Sequence, residues 1–136
     1  MDPARGLEFL HAHHRAVLAT FRADGLPQLS PVLAAVDEAS YVLISTREAA
    51  AKTRNLRRDP RASLCVISDG FFGDWVQLDG TAEVIALPDA MELLVGYYRL
   101  VAGEHPNWGD YRAAMQRDRR VILRLSVGRA GPDYSG

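Results

Sequence analysis

Residues 75–85, Trp-Val-Gln-Leu-Asp-Gly-Thr-Ala-Glu-Val-Ile, alternate with a period of two: Val76, Leu78, Gly80, Ala82 and Val84 fall on one face, and Gln77, Asp79, Thr81 and Glu83 on the other. Side chains along a strand point alternately to opposite faces of its sheet, so this run reads as a strand with one buried face. Residues 120–127 repeat the pattern with Val121, Leu123, Leu125 and Val127. Two such strands need partners, and the rest of the chain must supply them.

The partners are legible. Arg15 to Arg22 alternates Val17, Ala19 and Phe21, Ala23-Asp24-Gly25 is a turn, and Gln28 to Val36 resumes an extended pattern, which predicts a β-hairpin. Asp37-Glu38-Ala39-Ser40 is a second polar turn, and the short apolar run Tyr41-Val42-Leu43-Ile44 extends the hairpin to a three-strand meander. Ala62 to Ser68 gives a further strand. Helices are expected over residues 3–13, over 47–58 ahead of Pro60, from Pro88-Asp89 to a stop at Gly103, and after an Asn107 cap. Six mostly antiparallel strands with helices outside describe a mainly β fold, a small barrel with flanking helices. Gly131 to Gly136 reads as a loose tail.

A chain of 136 residues, 48% hydrophobic, can bury a core as one domain, residues 1–136, without metals or disulfides. A net charge of −1 argues against a general nucleic-acid or membrane-surface binder, so neither partner is expected. The first residues show no basic segment followed by an apolar stretch, and no window approaches the ~18 apolar residues of a membrane span. A cytoplasmic protein is expected. Cys65, the single cysteine, lies in an apolar run and reads as a buried, inert thiol.

The chemistry-bearing candidate is the segment from Thr46 to Ser63. Ser45, Thr46 and Arg47 end a strand and lead into a helix, whose first N–H groups and dipole favour an anion. Lys52, the only lysine in the chain, stands where its flexible stem can reach back to a phosphate, and Arg54 can add a fork. Spacing alone leaves a second and commoner reading open: Lys52, Arg54, Arg57, Arg58 and Arg61 as a solvated basic helix face. His11 and His14, three apart, lack an acidic or thiol ligand nearby, and no metal is expected. Phe71, Phe72, Trp75 and Trp108 read as core or interface aromatics before ring-binding ones. No nucleophile or acid–base pair stands out, so the catalytic residues are not identified, and if the chain is an enzyme a bound cofactor would supply the chemistry.

The stretches Val17–Val32 and Ala51–Ser63 resemble the pyridoxamine 5′-phosphate oxidase-like split-barrel superfamily, and more narrowly its actinobacterial flavin/deazaflavin oxidoreductases. Leu78–Val84, Tyr98–Arg99, Ala102–His105 and Trp108–Val121 resemble the branch that uses coenzyme F420, a deazaflavin. The resemblance implies a six-stranded split β-barrel and a homodimer with cofactor grooves at the subunit interface. It also implies that the cofactor is coenzyme F420, or alternatively FMN. Lys52 matches the phosphate-binding lysine, Ser45 and Thr46 match the strand-end hydroxyls, and Arg54 and Asn55 take supporting positions. The ring would lie along Ser30, Pro31 and Val32. Relatives often carry an arginine two positions before the lysine; here that position is Ala50, which leaves the phosphate grip weaker or supplied by Arg47 instead. The implied activity is hydride transfer from reduced deazaflavin to an unsaturated small-molecule acceptor, the alternatives being an FMN oxidoreductase or a non-catalytic carrier. Arg57 and Arg58 would suit the oligoglutamate tail of F420 by charge.

Overall fold

A computed structural model describes residues Met1–Asp133. The alternating runs form seven strands: β1 (Arg15–Phe21), β2 (Pro27–Leu33), β3 (Ala35–Val36), β4 (Val42–Arg47), β5 (Arg61–Ile67), β6 (Trp75–Ile85) and β7 (Arg120–Asp133). All pairings are antiparallel, and the spatial order is β2-β1-β5-β6-β7-β4-β3. The sheet curls until its two ends share one core: Leu18 of β1 and Ile44 of β4 belong to the same buried cluster as Leu64, Leu78, Leu123 and Leu125. Burial of one face of every long strand drives this curl, at roughly 25 cal/mol per Å² of apolar surface removed from water. The architecture is mainly β with flanking helices, the curled sheet of a split barrel.

Four helices close it: α1 (Pro3–Ala12), α2 (Ala51–Arg58), α3 (Met91–Ala102) and α4 (Trp108–Arg117). Helix α1 seats Leu10 in the barrel core, and its approach requires a bare backbone at Gly6, where a Cβ would lie 2.5 Å from Leu78 Cδ2. Helices α3 and α4 cover the outer face of β4 and β7 through Leu43, Leu94, Val95, Tyr111 and Ile122. Asn107 caps α4, its side chain accepting from Asp110 N–H. Gly103 ends α3 at φ 81°, a conformation costly for residues with a Cβ.

Four expectations change. The meander is interrupted: the run from residue 28 to 36 breaks at Ala34, whose N–H turns to His14 O, so β2 pairs only with β1 while β3 pairs with β4. Helix α2 starts at Ala51, because Arg47 is still paired with Arg120 and residues 48–50 form the turn. Helix α1 stops at Ala12, so His14 lies beyond it, with Nδ1 2.9 Å from Ala34 O. The last strand continues through Gly131 to Asp133 against β6, using register shifts between Val76/Leu78 and Asp79/Gly80. The rest of the expected tail, residues 134–136, lies outside the described residues.

Candidate functional site

The corner begins with β4, whose neighbouring residues face opposite ways. Ser45 sits opposite Ile122, which packs with α3 and α4, whereas Thr46 sits opposite Val121 in the barrel core and is 4% exposed. The two strand-end hydroxyls therefore address different sides of the sheet. Ser45 shares its side with Arg47 and Arg120, the cross-strand pair at the end of β4 and β7.

Helix α2 packs against β1, β2 and β6 and carries two kinds of side chain. Thr53, Asn55 and Leu56 are buried. Thr53 Oγ1 donates to Arg47 O at 2.7 Å, tying the helix to the strand end. Asn55 Nδ2 donates to the fully buried Thr20 Oγ1 at 3.1 Å, and its Oδ1 accepts from Arg58 Nη2 at 2.9 Å. The sequence-level supporting role of Asn55 thus becomes an interior tie between α2 and β1. Arg54 is exposed, with Nη1 donating to Ala49 O at 3.0 Å.

Lys52 is half-buried and makes no ion pair among the described residues. Burial holds its ammonium below the ordinary lysine pKa, and the Arg120 charge pushes in the same direction. Arg57 and Arg58 are less free than their spacing suggests. Arg57 pairs with Glu48, whose carboxyl is held below its ordinary pKa chiefly by that hydrogen bond, and Arg58 donates to Phe21 O and Asn55.

Strand β2 is the sheet edge, and it presents Pro27, Leu29, Pro31 and Leu33 outward, with Leu29 62% exposed. Pro31 has no N–H to give, which suits an edge. Ser30 is buried and exchanges hydrogen bonds with Gln28. A shallow groove of about 420 Å³ runs over this edge, lined by Arg15, Val17, Pro31, Val32, Leu33 and Ile67. Pro31 and Val32 therefore share one groove, while Lys52, Ser45 and Arg54 lie at the α2 corner. Tyr97 stands between the two regions: its hydroxyl donates to Leu33 O at 2.9 Å, and its pKa is raised by burial against the opposing influence of Arg120 and the Ser45 N–H.

Across the sheet, Pro31, Val17, Cys65 and Gln77 form one register row, and Leu29, Ala19, Ser63 and Asp79 the next. None of these residues belongs to the two buried clusters against which the helices of the described residues pack. Asp79 accepts from Ser63 Oγ at 2.6 Å and from Gln77 Nε2 at 2.9 Å. Cys65, expected to be buried, is half-buried on this face rather than in the core, and what burial it has raises its thiol pKa. Phe71 and Phe72 are 79% and 98% exposed in the β5–β6 loop rather than in the core. Trp108 packs among Tyr98, His105 and Tyr111.

This barrel has known counterparts. A model of the family described as "Pyridoxamine 5'-phosphate oxidase" matches residues 4–130. The chain belongs to the pyridoxamine 5′-phosphate oxidase family. A conserved hypothetical protein, Rv2991 from Mycobacterium tuberculosis, superposes with a TM-score of 0.76 at 26% identity, over 96% of this chain and 82% of that one. A solved protein named F420 reductase matches at TM-score 0.69 and 21% identity, over 91% of this chain and 94% of that one. A heme binding protein from Mycobacterium smegmatis matches at TM-score 0.68 and 21% identity, over 96% of this chain and 53% of that one. At these identities the latter two likenesses speak for the oxidase-family fold, not for a shared ligand.

Among the described residues no group of three or more His, Cys, Asp or Glu is placed to hold a metal ion, and no helix is long and apolar enough to cross a membrane. Arg120 and Tyr97 were not visible as site residues from sequence. The signal for Arg120 was its place at the start of an alternating strand, which becomes meaningful only once β7 is known to lie beside β4.

Proposed function

We propose that this protein is an oxidoreductase that binds coenzyme F420 and works as a homodimer on an unsaturated organic acceptor. The carrying observation is Lys52: a partly desolvated cation beside Arg120, with no carboxylate paired to it among the described residues. Such a charge suits a phosphate, and the donors around it fit: Ser45 on the same sheet face as Arg120, and Arg54 on the exposed side of α2. Thr46 and Asn55 are assigned supporting roles, fixing the strand end and the helix from inside.

When bound, the deazaflavin supplies the hydride chemistry. Lys52 neutralises its phosphate. Ser30, Pro31 and Val32 give the ring an edge, and the groove beside Val17 and Ile67 excludes water from one side of it. The accompanying proton comes from solvent, since no titratable side chain lines the groove except the always-charged Arg15. The exposed apolar face of β2 and β1 is covered by the second subunit, which completes the acceptor side.

Two features speak to the choice of cofactor. FMN ends at its phosphate, whereas F420 continues into an acidic tail. Arg57 is neutralised by Glu48, so the tail would be met by Arg47, Arg54 and Arg58, which are exposed and have no carboxylate partner among the described residues. Fluorescence-quenching titration of the purified protein with F420 and with FMN tests the reading. Micromolar or tighter F420 binding, with weaker FMN binding, is expected, together with acceptor turnover over a panel of enones. Tighter FMN binding moves the protein to the flavin branch; binding without turnover makes it a carrier; binding of neither rejects the reading.

A further inference from the structure

Arg120 opens β7 directly opposite Arg47 at the end of β4. Side chains opposed in this way share a face with Cβ atoms roughly 5 Å apart, and like charges there are destabilising. Lys52 adds a third cation to the same corner, close enough for the Arg120 charge to act on it. None of the three has a carboxylate partner among the described residues, and Glu48, the nearest acid in sequence to Arg47 and Lys52, is held by Arg57. The two phenols whose pKa values respond to Arg120 do not satisfy it either: Tyr97 gives its hydroxyl to Leu33 O, and Tyr111 gives its own to Leu94 O.

The decisive atom is Arg120 Nε, which is buried and has no hydrogen-bond partner among the described residues. A buried guanidinium donor left without an acceptor is unfavourable, and native structures rarely carry one without a reason. Three uncompensated cations around an orphaned N–H suit the oxygens of a phosphate group, and a guanidinium fork matches phosphate geometry better than an ammonium does. Sequence resemblance pointed to a cation missing at Ala50 and to Arg47 as its substitute. Arg47, however, is exposed, while Arg120 carries the orphaned donor.

We infer that Arg120 is the second phosphate-binding cation of this corner, set across the anion from Lys52 and restoring from β7 the charge that Ala50 lacks. This inference rests on the cofactor reading above. It requires that Arg120 discriminate ligands by their phosphate and not by their ring.

The experiment compares F420, the tail-less 5′-phosphate of its deazaflavin riboflavin core and that phosphate-free core itself on full-length wild type, Arg120→Gln, Arg120→Lys and Arg47→Gln, with dissociation constants from fluorescence quenching; the tail-less phosphate separates phosphate from tail, and its losses should follow those of F420. Arg120→Gln is expected to weaken F420 about tenfold or more, corresponding to ~1.4 kcal/mol, and to change the phosphate-free ligand less than about twofold. Arg120→Lys keeps the charge and loses the fork, so it loses about threefold on the phosphate-bearing ligands alone; it also serves should Arg120→Gln fail to fold. Arg47→Gln loses less than Arg120→Gln. Wild-type binding of F420 with no change in Arg120→Gln and Arg120→Lys, or equal losses with and without the phosphate, overturns the assignment of Arg120 and leaves the cofactor reading standing. Wild type that binds none of the ligands overturns both.

Discussion

Replacing Asn55 by Ala separates structural support from cofactor contact at the corner. The substitution removes the donor to Thr20 Oγ1, a hydroxyl with no exposure, and the acceptor for Arg58 Nη2, which keeps its second bond to Phe21 O at 3.0 Å. The loss therefore concentrates on Thr20. Leaving a buried polar group without its partner costs ~1–3 kcal/mol, centred on about 2 kcal/mol. At roughly 2.1 cal/mol/K of unfolding entropy per residue, 136 residues give about 0.29 kcal/mol/K, so Tm falls by about 7 °C. Thermal melts followed by circular dichroism on Asn55→Ala, Thr20→Val and the double variant measure this. Because Thr20→Val removes the stranded hydroxyl, the double variant should lose about 1 kcal/mol less than the sum of the singles. A Tm within 2 °C of wild type by this estimate, or strict additivity, refutes the interior tie. F420 affinity of the folded single variant should stay within about threefold of wild type, well short of a lost charged contact.

Other consequences follow from the same structure. Lys52→Met removes a partly buried cation beside Arg120, so the ligand-free protein should gain up to ~0.5 kcal/mol, the scale of a screened surface charge, while losing F420 affinity by more than tenfold in the titration. Gly80→Ala drives a Cβ into the Ser126 carbonyl at a bulged strand crossing, and soluble expression or Tm should report a loss of about 3 kcal/mol or more, since backbone on both sides must move. Leu29→Lys places a charge on the exposed apolar face, and light scattering should show the proposed wild-type dimer replaced by a monomer. The hydrogen bonds from Arg61 to Asp59 pull that carboxyl down to about 2. Its contribution is complete above the ordinary carboxylate pKa and disappears as pH falls through about 2, so the Tm difference between wild type and Asp59→Asn should be seen at pH 6 and vanish in strong acid.

Local pattern carried most of the strands. The alternation of residues 75–85 and 120–127 needs no knowledge of neighbours, because a buried face marks itself in sequence. What escaped depends on partners. Arg47 read as the start of a helix because Ala50, the actual cap position, has no capping side chain, and only pairing with Arg120 keeps Arg47 extended. Gly128, Gly131 and Pro132 disguised the end of β7, which holds through its ladder to β6. Ala34 carries no turn signal, yet its N–H leaves the strand for His14 O. At the candidate site Lys52 stood out as a lone lysine, whereas the opposite facing of Ser45 and Thr46 and the arrival of Arg120 from 68 residues further along follow from topology alone.

A crystal structure of the full chain soaked with coenzyme F420 tests the central claim most directly. The account predicts phosphate oxygens within about 3 Å of Lys52 Nζ and of the Arg120 guanidinium, with the deazaflavin ring against Ser30, Pro31 and Val32 and a second subunit over Leu29. A phosphate bound away from Lys52, or a ring seated elsewhere than the β2 edge, would contradict it.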